Sequence, residues 1–401
     1  MIKLKKTWRW FGPDDAVNLN WLKQLGVEGV VTALHQIPSG EVWPEEDILK
    51  RKEEVEKAGL TWEIVESLPV TEAIKLGTGA CESHIRNYQQ SLRNLARYGI
   101  KTVVYNFMPV VDWIRTDLNY PLPEGSTSLI FDCTSFAAFD LYILNRPDAE
   151  NDYAPEMVKR AEEFYRKMTP PERETLAYTI IVVTQGFVNG PEYNDPDHFK
   201  TLFLSQIKKY QSIGGLKLRE NLAFFLGKII PVAEECGINL AIHPDDPPFP
   251  VLGLPRIFST IEDMEWLFKT NASLNNGIVF CTGSLSARKD NDLFRMVKEH
   301  GERIHFVHLR NTEVLGDGSF YESGLLKGWI DMATLTGALL QEMQHRQDAG
   351  RADIQIPVRP DHGIRLFDDL KLRSYPGYPL IGRLKGLAEI CGLEEGILRG
   401  W

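Results

Sequence analysis

Along this chain, short runs of β-branched and aromatic residues alternate with longer stretches whose apolar positions recur every three or four residues. The first pattern fits buried strands and the second amphipathic helices. Eight strands are predicted, at Thr7–Phe11, Gly29–Leu34, Thr61–Ser67, Lys101–Phe107, Ile238–His243, Gly277–Thr282, Ile304–Leu309 and Ile354–Arg359. Helices are predicted between several of them, as at Pro44–Ala58, Cys81–Tyr98, Arg219–Cys236 and Asn291–His300. Gly59, Gly99, Gly237 and Gly301 sit where those helices should stop, because glycine enters the left-handed cap conformation cheaply. Strand–helix alternation implies a parallel sheet, and eight such units imply a closed (β/α)8 TIM barrel. A doubly wound open sheet is the architectural alternative.

One region breaks the rhythm. Between the fourth predicted strand, ending near Phe107, and the fifth, starting near Ile238, lie about 130 residues, several times an ordinary βα unit. The stretch contains TSLIFD, which reads as a strand, and MVKRAEEFYRKM, which reads as a charged helix. With no shift in composition to mark a second unit, the expectation is a single domain over 1–401. An insertion or lid at about 110–215 would then lie on the loop face of the barrel.

Bulk properties narrow the function classes. The formal charge of −10 argues against bulk attraction to nucleic acid or an anionic membrane. No stretch approaches the ~20 apolar residues of a membrane span, and no apolar run follows the basic start MIKLKKTWRWFG. The 5 cysteines form no CxxC pair, and an odd number closes no complete disulfide framework. A reducing, cytoplasmic setting fits that usage.

In a barrel, every strand points its last residues at one mouth, so donors at strand ends converge. Four late strands end in metal donors: His243 in AIHPDD, Cys281 in VFCTGS, His308 in HFVHLRN and Asp361 in VRPDHG. Each alone has a plainer reading: a small core cysteine, a hydrogen-bonded histidine, an aspartate capping a loop. Together, two imidazoles, a thiolate and a carboxylate suit a divalent transition metal. His305, three residues before His308, should face the opposite side and is assigned to packing. His362 follows Asp361 directly and can exchange a proton near neutral pH. In SYPGYP, Tyr375 and Tyr378 lie in a tight turn; a phenol beside a metal or cation can have its pKa lowered and act as a base.

The runs HPDDPP (243–248), FCTGS (280–284), HFVHLRN (305–311), RPDHG (359–363) and PGY (376–378) resemble the signature of the mannonate dehydratase family. The likeness begins with TWRWFG and GVEGVVTALHQIP, continues through KTVVYNFMPVVDW, and so covers nearly the whole chain. Membership implies a xylose-isomerase-like barrel that removes water from D-mannonate to give 2-keto-3-deoxy-D-gluconate, in hexuronate breakdown. It further implies one Mn²⁺ or Fe²⁺ per chain, held by His243, Cys281, His308 and Asp361, with His362 and Tyr378 as acid–base groups. Apart from the resemblance, a homo-oligomer, dimeric or higher, is the expected assembly. The chain departs from the expected pattern after FYES, where it reads GLLKGWIDM rather than offering a histidine and an acidic residue, so no supporting role is expected there.

Such a reaction takes a proton from C2, beside the carboxylate, and expels hydroxide from C3. The sugar-acid carboxylate calls for cations, and Arg9, Arg310 and Arg359 lie at or beside strand ends; Asn106 and Asn311 are placed to read hydroxyls. The same-fold rival is a metal-dependent sugar isomerase or epimerase, because a barrel does not determine the reaction. The rival from another class is a non-catalytic sugar-acid binding protein.

Overall fold

The computed structural model describes residues 2–185, 195 and 198–400. Twelve strands are present among them: β1 (Lys5–Arg9), β2 (Gly29–Thr32), β3 (Thr61–Glu66), β4 (Thr102–Tyr105), β5 (Asp117–Pro121), β6 (Thr127–Phe131), β7 (Asn239–Ile242), β8 (Asn276–Cys281), β9 (Ile304–Leu309), β10 (Asn311–Val314), β11 (Phe320–Ser323) and β12 (Pro357–Pro360). Strands β1, β2, β3, β4, β7, β8, β9 and β12 form a closed barrel in that order. Every pairing in it is parallel, and β12 returns to β1 through Lys5↔Pro357 and Lys6↔Val358. All eight predicted strands are there, and closure excludes the open sheet. The last one starts later than expected, at Pro357; ahead of it the Asp353 carbonyl accepts from Arg346 at 3.1 Å.

The predicted helices appear at Glu45–Lys57, Cys81–Arg97, Gly215–Cys236 and Leu293–His300. Gly59, Gly99 and Gly237 take left-handed φ values of 74°, 78° and 65° at their ends. Gly301 does not. Its φ is −52°, and the chain runs straight into a 3-10 turn. Close packing explains the residue there instead, since a Cβ would come within 2.8 Å of the Glu342 carboxylate.

The barrel interior carries its own apolar layer, Val31, Ile64, Val104, Ala241, Val279 and Phe306, separate from the larger core between strands and helices. The segment after β4 supplies β5 and β6, and these join β10 and β11 from the loop after β9 in a four-stranded antiparallel sheet, order β10-β11-β6-β5. Two loops from different sides of the barrel are thereby tied together.

The loop after β12 carries residues 361–378 and is pinned by the final helix, Leu380–Leu398. The buried Asp369 carboxylate accepts the amides of Ile381 and Gly382, each at 2.9 Å, satisfying two of the unpaired N–H groups at that helix start. A Cβ on Gly382 would overlap the Ile364 carbonyl, whereas Gly392 in the same helix has open space around it. Alanine normally stabilises a helix interior relative to glycine by about 0.5–1 kcal/mol. Gly392→Ala should therefore raise the unfolding free energy by roughly that amount. Gly382→Ala should lower it by about 1–3 kcal/mol, from overpacking against backbone. Denaturant unfolding of the two variants checks the reversal of sign.

Candidate active site

Strand alternation builds the site. On five barrel strands the residue two positions after an inner apolar residue lies on the same, inward face, one layer nearer the mouth. Ile64 leads to Glu66, Val104 to Asn106, Ala241 to His243, Val279 to Cys281 and Phe306 to His308. The top layer of the barrel interior is thus polar. Asn106, His243, Asp246, Asp361, His362 and Tyr378 line a cleft there, and Ser67, Asp112 and Trp113 close its sides.

His243, Cys281 and His308 each offer a ligand atom within 4.8 Å of the others. His243 donates its Nδ1 proton to the Pro244 carbonyl at 2.7 Å, which directs Nε2 inward. Burial alone would push the Cys281 thiol up, but Arg310 and His243 outweigh it and hold Cys281 well below its usual value, as a thiolate. The same thiolate, against the desolvation that would lower it, raises His243 to about 9. His308 Nε2 is buried without a hydrogen-bond partner, 3.4 Å from Glu66 Oε2. A thiolate between two imidazoles, one with an orphaned buried nitrogen, fits a divalent transition metal. Asp361 stands beside this trio, its Oδ2 3.8 Å from Cys281 Sγ and 3.9 Å from His308 Nδ1. Its carboxylate is also gripped by Arg310 and Arg359, each at 2.9 Å.

Across the cleft, His362 is enclosed on several sides. The Trp113 ring lies 5.0 Å from it and the Tyr378 ring 5.1 Å, edge-on at 89°. Gly377, at φ 84°, leaves room for the imidazole; a Cβ there would come within 2.7 Å of it. His362 Nδ1 meets Glu322 Oε1 at 3.1 Å. That oxygen also accepts from Arg115 at 2.7 Å and from Arg310. Asp246 completes the cluster, taking Arg115 at 2.7 and 3.2 Å and Arg310 at 2.5 Å.

The predicted residues therefore divide. Arg310 and Arg359 border the cleft, but both are committed to carboxylates, Arg359 also reaching Glu66 at 3.0 Å. Arg9 lies beneath, donating to the Glu66 carbonyl. Asn106 lines the cleft. Asn311 does not: its amide donates to the carbonyls of Leu325 and Ile330 at 3.0 and 2.8 Å and accepts from the amide of Ile330 at 3.2 Å. Two residues past the end of β9 and first in β10, it has the opposite parity to His308 and Arg310, faces away from the mouth and holds the 324–330 loop. His305 faces outward as expected, with Nε2 on the Leu274 carbonyl at 2.8 Å. Tyr378 departs from the expected shift. Burial and Asp361 outweigh Arg359 and Arg9 and push its phenol up to about 12, so it keeps its proton.

Glu66, Asp246, Trp113, Arg115 and Glu322 were not anticipated. Glu66 ends the third strand in TWEIVES, and the strand-end rule applied to early strands as well as late ones would have found it. The supporting acid sits inside FYES itself, as Glu322, rather than after it. Nothing local marks Arg115 or Glu322, because only the four-stranded sheet brings them to the mouth.

The fold and the site together define a (β/α)8-barrel enzyme with a candidate metal-ligand cluster at the C-terminal ends of its strands. The chain belongs to the D-mannonate dehydratase (UxuA) family, whose model matches residues 4–400. A curated mannonate dehydratase from Chromohalobacter salexigens is 50% identical over 395 residues, covering 98% of this chain and 99% of that relative. The crystal structure of mannonate dehydratase from Streptococcus suis superposes with a TM-score of 0.77 at 34% identity, covering 100% of this chain and 95% of that one. A xylose isomerase domain protein from Planctomyces limnophilus shares the fold, with a TM-score of 0.50 at 10% identity and full coverage of both chains.

Substituting Cys281→Ser or His243→Ala should remove most bound metal and leave the circular-dichroism spectrum unchanged, because both side chains cap the barrel interior rather than fill it. Metal content by elemental analysis decides; full occupancy in Cys281→Ser would take that residue out of the ligand set.

Proposed function

We propose that this chain dehydrates D-mannonate to 2-keto-3-deoxy-D-gluconate, using one divalent metal held by His243, Cys281, His308 and Asp361. The observation that carries the reading is the convergence of the His243, Cys281 and His308 donor atoms within 4.8 Å, facing His362 and Tyr378 across one cleft. A divalent ion bound there supplies Lewis-acid stabilisation of charge that develops on substrate oxygens. Mn²⁺ or Fe²⁺ is the expected occupant, and the thiolate invites competition from Co²⁺ and Zn²⁺.

The chain's own groups move the protons. The C2 hydrogen is weakly acidic and hydroxide leaves C3 poorly, so elimination needs a base at one carbon and an acid at the other. His362, with Nδ1 engaged by Glu322, has Nε2 left to take the C2 proton. Tyr378, held protonated by burial and Asp361, donates to the departing C3 oxygen. Trp113 covers His362 and limits water at the carbanion-like intermediate, which is how the inserted segment acts as a lid. Asn106 contacts substrate hydroxyls, and Arg310 and Arg359, with Arg9 behind them, make the mouth attractive to a carboxylate.

All 5 cysteines are unpaired, which supports a cytoplasmic location. The chain assembles as a homo-oligomer in this reading, which light scattering checks.

Metal-reconstituted protein incubated with D-mannonate should yield a 2-keto-3-deoxy acid. An isomeric sugar acid without that carbonyl product would instead establish an isomerase or epimerase, and binding without turnover a sugar-acid receptor. His362→Asn and Tyr378→Phe should each keep the metal and lose ~10²–10⁴-fold in kcat, about 3–5 kcal/mol of transition-state stabilisation. Solvent deuterium should enter C2 in Tyr378→Phe but not in His362→Asn; the opposite pattern exchanges the two roles.

A further inference from the structure

Glu322 takes no part in holding the metal and lies outside the lining of the cleft, yet it is completely buried. Its place is set by the small sheet: Glu322 pairs with Thr312 of β10, and its carbonyl accepts from Ser128 of β6 at 2.5 Å. One carboxylate oxygen, Oε1, serves three donors at once, Arg115, Arg310 and His362 Nδ1. Arg115 comes from the segment after β4, Arg310 follows β9 and His362 follows β12, so Glu322 is where three loops of the mouth meet. The two guanidiniums outweigh the cost of burial and hold its carboxyl down to about 2, an acceptor at any working pH. A carboxylate can only accept, so the proton between Glu322 and His362 belongs to Nδ1. The other ring nitrogen, Nε2, has no hydrogen bond among the described residues.

We propose that Glu322 is a positioning residue: by accepting the Nδ1 proton of His362, it fixes the tautomer that presents the Nε2 lone pair to the C2 hydrogen. Arg115 is the second part of the device. It and Arg310 keep Glu322 charged and immobile, so the inserted segment sets the chemistry of a histidine it does not itself carry. A glutamine at 322 can donate its amide to Nδ1 and stabilise the wrong tautomer, at almost unchanged shape. This inference rests on the dehydratase reading.

A double-mutant cycle on the metal-loaded enzyme tests it. Glu322→Gln should lose ~10²-fold or more in kcat with KM and metal content nearly unchanged, because only the transition state uses the oriented base. Added to His362→Asn, the same change should cost no more than about 3-fold further, since residues acting as a unit are not additive. Losses that multiply, or a Glu322→Gln enzyme with wild-type kcat, overturn the proposal. Should Glu322→Gln not fold, the cycle is run with Glu322→Asp, which keeps the charge between Arg115 and Arg310 but withdraws the oxygen from Nδ1. A second readout needs no turnover. In Zn²⁺-loaded, ¹⁵N-histidine-labelled protein, the His362 signal, identified by its loss in His362→Asn, should report Nδ1–H in the wild type and Nε2–H in Glu322→Gln. A wild-type signal already at Nε2–H refutes the proposal even in an active enzyme. A wild-type enzyme that makes no keto-deoxy acid refutes the dehydratase reading, whatever the tautomer.

Discussion

Charge buried at the barrel mouth is the constraint on which the rest of this structure depends. Arg115 and Arg310 share Asp246 and Glu322, while Arg359 spans Glu66 and Asp361, and all seven side chains are almost fully removed from solvent. Taking ions out of water costs several kcal/mol each, and mutual attraction offsets that only when geometry is good and no charge is left over. Such a cluster contributes little net stability. It does impose a unique arrangement, because moving any one member strands another in low dielectric. The loops after β4, β7, β9 and β12 each place a member in it, so their relative positions are coupled.

The metal cluster follows from the same electrostatics. Arg310 reaches Cys281 at 3.6 Å and, with His243, keeps the sulfur as a thiolate despite burial. The sulfur is thus poised as a donor, while the same charge holds a proton on His243.

The residues after β4 acquire a meaning in this frame. Among the described residues, β5 and β6 complete a sheet with β10 and β11, and Gln185 secures the 112–113 backbone by accepting from Asp112 and donating to the Trp113 carbonyl, each at 2.7 Å. Trp113 then lies over His362, and Arg115 reaches the carboxylates beneath. Barrel scaffolds commonly place chemistry on loops and rigidity in strands. Here the loops have a sheet of their own, which lends His362 and Asp246 the precision of a strand-borne residue.

What the sequence determined by itself is whatever follows from local periodicity. The 3.6 and 2.0 periods located the eight barrel strands and their helices, and parity within a strand carried His243, Cys281 and His308 to the mouth while sending His305 to the outside. Five ordered motifs, from HPDDPP to PGY, identified the family. Beyond the barrel strands such reasoning fails. Asn311 lies two residues beyond β9, at the start of β10, and turns to the loop, and Gly301 serves packing rather than a cap. Tyr378 keeps its proton because burial and Asp361 prevail over its neighbouring arginines, a balance of distances that no motif encodes. Arg115, Asp246 and Glu322 are 131 and 76 residues apart along the chain and form no pattern in it. They become one site only when a closed barrel brings its loops to a common end, where low dielectric ties them to one another and to Arg310 and His362.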